Sequence, residues 1–342
     1  MSATSETVQT PSNASHTNGE ASVTPKGSRF GSLRRADFLR RNVLFLGLIL
    51  MIIIFQSSNS AFLTIGNVRG ILLDLSVLLI LSIPAGLLLI SGYVDFSVGA
   101  VIGLSAVTAG LLLTKAGIDT PLAVIITLLV AALAGSLNGL LVTVLGYSPI
   151  IVTLGTLALI GGISLGIGGI PTIGYPASFQ NIGGSQLFGI PVPVVIAFIV
   201  LAIGVFVVKG LPVGRHIYAI GSNREAAYLS AIKVRAVPFA LYVLTALAAG
   251  LGGIITAGRL NTASASMGSG FEVTLLTALL LGGVSFFGGS GSLFGITVGV
   301  VFLGVLQNGL VMIGAPSFVQ QVATGVVLII AAALNYFSEK RR

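Results

Sequence analysis

The chain is dominated by apolar runs, each long enough to cross a membrane. A helix needs about 17 to 25 apolar residues to cross about 30 Å of hydrocarbon. Six such runs precede a charged segment at residues 210–237, and four follow it. The runs lie near residues 42–60, 71–91, 96–114, 121–146, 149–170, 190–209, 238–258, 271–287, 293–313 and 318–338. We therefore predict an all-α, multi-pass membrane protein of about ten transmembrane helices, in contact with membrane lipid.

Composition supports this prediction and narrows the possible chemistry. Hydrophobic residues make up 55% of the chain and charged residues 8%, a balance that would make a soluble domain of this length aggregate. The 46 glycines fit close packing of membrane helices, as in the pairs Gly161-Gly162, Gly252-Gly253 and Gly282-Gly283. The absence of cysteine excludes disulfides, thiolate metal sites and cysteine catalysis. The two histidines lie far apart in sequence, so we expect no metal site.

Basic residues mark one face of the predicted bundle. Residues 1–41 are polar and basic, which is typical of a disordered cytoplasmic tail and not of a signal peptide. Six spans before residues 210–237 and four after them place both termini, including residues 339–342, on the same face as that loop. Five basic residues, in this loop or immediately before it, stand against the single Glu225: Lys209, Arg215, Arg224, Lys233 and Arg235. The positive-inside rule makes this face cytoplasmic in the inner membrane, so the net charge of +8 is a topology signal and not a sign of nucleic-acid binding.

The opposite face carries few charges, which we assign to several loops: Arg69, Lys115, Asp119, Arg259 and Glu272. Its longest loop, residues 171–190, has none. That segment could meet a soluble partner or be a passive connector. Asp74, near the outer end of the second run, is predicted to make a surface or interhelical contact.

The charged loop contains a helix start signal. Ser222-Asn223-Arg224-Glu225 has the pattern of a capping box, in which Ser222 and Glu225 each accept from the other's backbone amide. This predicts a short helix that ends near Ile232 and is too short to be stable alone in water. We interpret it as a surface that docks into another protein through Ala226, Ala227, Leu229 and Ile232. The alternative is a solvated loop with one helical turn.

A carboxylate interrupts two neighbouring apolar runs. Asp95 lies in the segment Ser91–Gly99, which is too short to be an aqueous loop. An intramembrane carboxylate indicates function, and a helix break inside the membrane is tolerated where it lines a cavity or packed protein. The alternative is that Asp95 or Ser97 simply caps the third span. We assign Asp95, Ser97 and Gly99 to a candidate substrate pathway and predict that Asp95 acts by organising the break.

A second break, Gly282–Ser292, is rich in glycine. It lacks the lysine of a phosphate-binding loop, and the chain contains no Ser/His/Asp set or nucleotide fingerprint. We therefore expect tight re-entry into the membrane here and do not expect the chain to be an enzyme that hydrolyses ATP.

Five segments carry a family resemblance. They are Gly66-Asn67-Val68, Ser91–Gly99, Thr153-Leu154-Gly155-Thr156, Gly214–Ile232 and Leu281–Gly295. Over residues 42–338 the chain resembles the ribose-type permease subunits of ABC importers, in the group that includes branched-chain amino-acid permeases. The resemblance implies a type II importer architecture, with residues 42–338 as the permease domain. It also implies an ATPase-coupling helix at residues Ser222, Asn223, Arg224, Glu225, Ala226, Ala227, Leu229 and Ile232.

The resemblance further implies partners. These are a second permease chain, identical or a sister, two cytoplasmic ATPase chains that carry ATP and Mg²⁺, and a periplasmic or lipid-anchored sugar-binding protein. Tyr93, Ser222 and Ala231 stand where the family usually has glycine, and they bear on substrate identity and pathway geometry. The competing hypothesis is a proton-coupled secondary transporter using Asp95 and possibly Asp74. Scarce buried charge and the capped helix favour the importer.

Overall fold

The computed structural model describes the backbone of Ser2 and residues 29–339, and the side chains of Ser2 and residues 44–337. The helices and strands are, in chain order, α1 (Arg29–Ser58), α2 (Ile65–Ile90), α3 (Val98–Thr114), α4 (Thr120–Gly139) with the π-helical turn Leu140–Val144, α5 (Pro149–Ile167), β1 (Thr172–Ile173), α6 (Ala177–Gly184), β2 (Gln186–Leu187), β3 (Ile190–Pro191), α7 (Val192–Gly210), α8 (Pro212–Ser222), α9 (Arg224–Leu229), α10 (Ala236–Leu260), β4 (Thr262–Ala263), α11 (Phe271–Leu281), α12 (Leu293–Met312) and α13 (Ser317–Glu339).

Ten apolar helices match the ten predicted runs. Within the described residues, seven helices are long and apolar enough to cross a membrane: α2, α4 with its π-helical turn, α5, α7, α10, α12 and α13. Three apolar helices are shorter, namely Leu44–Ser58 within α1, α3 and α11. The prediction of an all-α multi-pass fold is confirmed, and the strands are only two residues long each. α1 already begins at Arg29, inside the predicted tail. Met1 and residues 3–28 and 340–342 lie outside the described part of the chain.

The eighth predicted span is wrong in its length. We expected a helix over residues 271–287, but α11 has 11 residues and therefore extends only about 16 Å along its axis. It ends where Gly283 adopts the left-handed conformation, with φ of 80°, which few residues other than glycine tolerate. Residues 261–270 connect α10 to α11. They contain no helix, and only the two residues of β4 form a strand.

The core of the bundle is built around α2, α3 and α10, which contribute more buried residues than any other three helices. Glycine permits close approach of these helices. A methyl group at Gly253 of α10 would meet the carbonyl oxygen of Ile102 in α3, and one at Gly250 would meet the Ala131 methyl in α4 at 2.7 Å. Gly161 and Gly162 of α5 instead face open space in the single chain, so that pair is not a packing contact within it.

One end of the bundle is closed by the loop that precedes α7. β1 pairs antiparallel with β4, and Phe179 of α6 is fully buried against the ends of α3 and α10. Residues 171–190 thus form a compact, partly helical cover. At the same end, Arg259 forms an ion pair with Asp74 at 2.8 Å, which confirms the predicted interhelical contact of Asp74. Asp74 is exposed and Arg259 is partly exposed, so we expect this pair to contribute little stability.

Candidate functional site

The first break is held by hydrogen bonds between polar side chains. α2 ends at Ile90 and α3 begins at Val98. Asp95 Oδ1 accepts from the Ser97 amide at 2.8 Å and from the Ser97 hydroxyl at 2.6 Å. Asn138 of α4 donates to Ser97 Oγ at 2.8 Å and lies 3.4 Å from Asp95 Oδ1. Asp95 is 8% exposed and its two partners are fully buried, so the break is a fixed turn inside the bundle.

This geometry decides between the alternatives for a capping role. Asp95 accepts a hydrogen bond from the backbone amide of Ser97, the residue immediately before α3. The Ser97 side chain makes no capping bond to α3, so the alternative in which Ser97 caps the span is wrong. Sequence reasoning missed Asn138, although a lone amide within an apolar run is a typical interhelical hydrogen-bonding residue in membranes.

The second break is held by glycine backbone. Gly288 and Gly289 have φ of 87° and 72°, a region that β-carbon sterics deny to most residues. The Gly289 amide donates to the Ile90 carbonyl at 2.7 Å, which joins this break to the last residue of α2. Asn335 of α13 donates to the Val284 carbonyl at 2.7 Å. The predicted tight turn at residues 282–292 is present.

Helix α8 packs against both breaks through glycine. Gly221 lies in contact with Gly92 of the first break, and a methyl group at Gly221 would collide with the Ile90 carbonyl and with the Gly289 amide nitrogen. A methyl group at Gly288 would meet the Gly92 backbone at 2.8 Å. We call Gly92, Gly221, Gly288 and Gly289 the glycine junction.

A hydrogen bond next to the glycine junction adds a second connection. The Tyr218 hydroxyl of α8 donates to the Gly291 carbonyl at 3.0 Å. Burial raises the pKa of Tyr218, so the hydroxyl keeps its proton, and therefore its role as donor, into more alkaline solution than a free tyrosine would.

The capping box predicted for the charged loop is wrong by one residue. α8 continues through Ser222, whose hydroxyl donates to the Tyr218 carbonyl at 2.8 Å. Asn223 is extended and caps α9, and its Oδ1 accepts from the Ala226 amide at 2.9 Å. Glu225 lies in the first turn of α9, where its negative charge interacts favourably with the positive end of the helix dipole. The helix ends at Leu229 and not near Ile232.

The predicted docking face of α9 also needs correction. Ala227 is 4% exposed and packs into the core of its own chain, and Ile232 is half-buried. The residues that face outward are Arg224, Glu225, Ala226, Tyr228 and Leu229, of which Tyr228 and Leu229 are 67% and 79% exposed. Arg224 lies 5.9 Å from the centre of the Tyr93 ring in the first break.

A cleft beside the first break is lined by two carboxylates. It is narrow, with a volume of about 20 Å³, and is lined by side chains of α2, the first break and α11, namely Ala85, Leu89, Val94, Asp95, Phe96, Glu272, Leu275, Leu276 and Leu279. A methyl group at Gly99 would collide with Glu272 and with the Gly268 carbonyl. Assignment of Glu272 to a loop at the opposite face is therefore wrong, because it lies against the start of α3.

The fold and this site define a multi-pass membrane protein whose bundle contains two polar helix breaks. Residues 67–332 match the family described as "Branched-chain amino acid transport system / permease component". The chain belongs to this family of permease components, as its resemblance to ribose-type permeases predicted.

Curated relatives agree with the family. The D-allose transport system permease protein of Escherichia coli (strain K12) is 36% identical over 300 residues, which cover 86% of this chain and 91% of that protein. The autoinducer 2 import system permease protein of Yersinia pestis (strain Pestoides F) is 33% identical over 290 residues, 83% of this chain and 87% of that protein. The protein of the same name from Yersinia pseudotuberculosis serotype I (strain IP32953) has the same identity and coverage. No solved structure matches the chain at a significant level.

Proposed function

We propose that this chain is the membrane-spanning subunit of an ABC importer, which moves a sugar or sugar-like solute inward with ATP hydrolysed by a partner subunit. The observation that carries the proposal is the short helix α9, which is exposed on its outer face and connected through α8 to both helix breaks. ATP and Mg²⁺ would bind only to the partner.

The relatives support the solute class. One is named for D-allose and another for autoinducer 2, both small and rich in oxygen atoms. Two carboxylates in an otherwise apolar cleft fit the rule that small-molecule sites place a few polar groups in an apolar wall. A pentose, a hexose or a furanose-like compound would match this chemistry.

Coupling would run from α9 to the cleft. A partner ATPase that seats Tyr228 and Leu229 in its own surface would move α9, and α8 would move with it because the two helices are separated only by Asn223. The backbone atoms of the glycine junction are packed directly against one another, so a movement of α8 would move the first and second breaks together. Access to the cleft would then alternate between the two sides of the membrane.

The orientation is part of the proposal. Basic residues favour a cytoplasmic position for α8, α9 and both termini, and residues 171–190 would face outward, where a periplasmic or lipid-anchored binding protein would deliver solute. A second permease chain would complete the membrane core.

Transport itself is tested in proteoliposomes with radiolabelled D-allose. The chain is purified with the ATP-binding subunit and the secreted binding protein that the proposal requires, and uptake is measured with and without internal ATP. We expect uptake only when ATP and the ATP-binding subunit are both present. Uptake that persists without that subunit and stops when the proton gradient is dissipated would instead establish the proton-coupled transporter.

Docking through α9 is tested by one substitution at each end of the bundle. Leu229→Arg places a charge on a side chain that is 79% exposed, and Phe188→Arg does the same to one that is 96% exposed at the opposite end. We expect Leu229→Arg to lose co-purification with the ATP-binding subunit while its melting temperature in detergent is unchanged. Phe188→Arg is the matched control and should co-purify normally. Equal yields of the complex for both variants would contradict docking through α9.

Orientation is tested by cysteine labelling, because the chain contains no cysteine of its own. In intact spheroplasts, a membrane-impermeant thiol reagent should label Phe188→Cys and spare Ser230→Cys, and both should react after the membrane is permeabilised. Labelling of the Ser230 variant alone in intact spheroplasts would reverse the topology.

A further inference from the structure

The connection between α10 and α11 runs back into the bundle along α3. Its path follows three glycines of α3, each of which lacks the side chain that would block it. A methyl group at Gly110 would meet Ala263, one at Gly103 would meet the Ala265 backbone, and one at Gly99 would meet the Gly268 carbonyl. From Gly110 to Gly99 the rise of α3 is about 16 Å. Residues 263–268 therefore descend along much of α3.

Because residues 263–268 are not helical, they need protein or water around them. Non-helical backbone within a membrane is tolerated only where it is buried in protein or lines a water-filled cavity. This segment is sheltered by α3 on one side, while Ser266 and Ser269 are exposed. It delivers the first turn of α11, with Glu272, to the cleft beside the first break.

The two carboxylates of that cleft differ in their hydrogen bonding. Asp95 Oδ1 already accepts two bonds from Ser97. Glu272 Oε2 is inaccessible, and the structure records no hydrogen-bond partner for it among the described residues. A buried carboxylate oxygen without a donor is unfavourable, and an ionisable group in this setting marks a transport pathway by default.

From this contrast we propose that Glu272 is a solute-binding residue of the translocation pathway and accepts hydrogen bonds from hydroxyl groups of the transported compound. This deepens the proposed function and rests on it. An ionised carboxylate is an acceptor with two oxygens, so it can bind two neighbouring hydroxyls of a sugar in a conformation that exposes Oε2, which is inaccessible here. In this conformation the cleft has a volume of about 20 Å³, room for about one water molecule, so a sugar would reach Glu272 only in a conformation in which the cleft is wider.

A purely structural role for Glu272 makes different predictions. Gly99 lies in the first turn of α3, where a helix dipole favours a nearby negative charge. If Glu272 only stabilised this helix end, its loss would lower the melting temperature and leave the solute concentration at half-maximal uptake unchanged. If it binds solute, that concentration must rise.

The first experiment measures D-allose uptake by the complete complex as a function of D-allose concentration. We expect Glu272→Gln and Glu272→Ala to raise the KM roughly tenfold to a hundredfold, as for loss of hydrogen bonds to a charged group, while ATP hydrolysis without solute stays within twofold of wild type. Glu272→Asp, which keeps the charge on a shorter side chain, should fold normally and raise the KM by less. Asp119→Asn, an exposed acid elsewhere, is the control and should leave the KM unchanged.

The second experiment needs no knowledge of the solute. In the cysteine-free chain, Glu272→Cys should react with a small hydrophilic methanethiosulfonate reagent in at least one nucleotide state of the complex. Ala106→Cys, at a fully buried position of α3, should not react in any state. Failure of wild-type uptake with normal labelling at position 272 would count against the proposed function alone. Normal wild-type uptake with an unchanged KM in all three Glu272 variants, or a Glu272→Cys variant that never reacts, would overturn the role of Glu272.

Discussion

The two helix breaks turn the chain at neighbouring positions in the bundle, yet different forces hold them. The first depends on side chains, because hydrogen bonds join Asp95, Ser97 and Asn138. The second depends on the lack of side chains, because Gly288 and Gly289 have left-handed backbone conformations and contact neighbouring backbone directly. The first break should therefore respond to changes of hydrogen bonding, and the second to changes of volume.

The largest effect is expected from Gly288→Ala. An alanine there is strained by about 1 to 2 kcal/mol in the left-handed region and overpacks the Gly92 backbone by about 1 to 3 kcal/mol. Gly283→Ala is the matched control, since Gly283 has φ of 80° but open space around it. Thermal unfolding in detergent should show a clearly larger loss for Gly288→Ala. Equal losses would mean that backbone strain alone, and not contact with the first break, governs this position.

A smaller effect is expected from Gly221→Ala, which tests α8. Its added methyl group would displace backbone of both breaks at a cost of up to about 3 kcal/mol. The control is Gly155→Ala, since Gly155 lies within α5 and has nothing nearby, so alanine should stabilise that helix by about 0.5 to 1 kcal/mol. We expect lower stability and weaker coupling between ATP hydrolysis and uptake only for Gly221→Ala. Full coupling in that variant would show that coupling does not depend on the contact between α8 and the breaks.

In the first break, Asp95→Ala should cost about 2 kcal/mol, because the amide and hydroxyl of Ser97 both lose their acceptor. Asp95→Asn keeps an acceptor oxygen at the same place and should retain more uptake and more stability than Asp95→Ala. The measurement is uptake at matched membrane expression, together with thermal unfolding. If the Asn variant is as inactive as the Ala variant while its stability is that of wild type, the charge of Asp95 has a function beyond the turn.

The smallest effect is expected from Arg224→Gln. Arg224 is exposed and lies 5.9 Å from the centre of the Tyr93 ring, which is buried. A cation–π contact whose cation stays hydrated contributes about 0.5 to 1 kcal/mol. A double-mutant cycle with Tyr93→Leu should give a coupling energy in this range. Strict additivity of the two substitutions would show that α9 reaches the first break through α8 alone.

Local patterns in the sequence predicted the positions of the breaks but not the contacts between them. An aspartate between two apolar runs and a dense glycine cluster are both visible along the chain. Asn138 and Gly221 are distant in sequence from the residues that they meet, so only packing reveals them. Hydropathy also cannot distinguish a helix that crosses the membrane from one that begins inside it, and this accounts for the error over α11 and the misplaced Glu272.

The one-residue error at α9 has a local cause. Ser222 and Asn223 are both good capping residues, and Glu225 three residues after Ser222 favoured Ser222. In the structure α8 extends through Ser222, whose hydroxyl donates to the Tyr218 carbonyl, and Asn223 caps the next helix. Tertiary contacts of α8 with the breaks, absent from any local pattern, decide where that helix ends.

The glycine junction also limits how this permease can be recombined with its relatives. A coupling segment is an obvious unit to exchange when a permease is to be driven by a foreign ATPase. Here residues 212–229 share backbone contacts with two other parts of the chain, at Gly92 and at Gly288 and Gly289. A donor segment with a larger residue in place of Gly221 would have no room, however well it suited its new ATPase. Functional chimeras should therefore tolerate a change of the outward face of α9 far more readily than a change of the face that α8 turns toward the bundle.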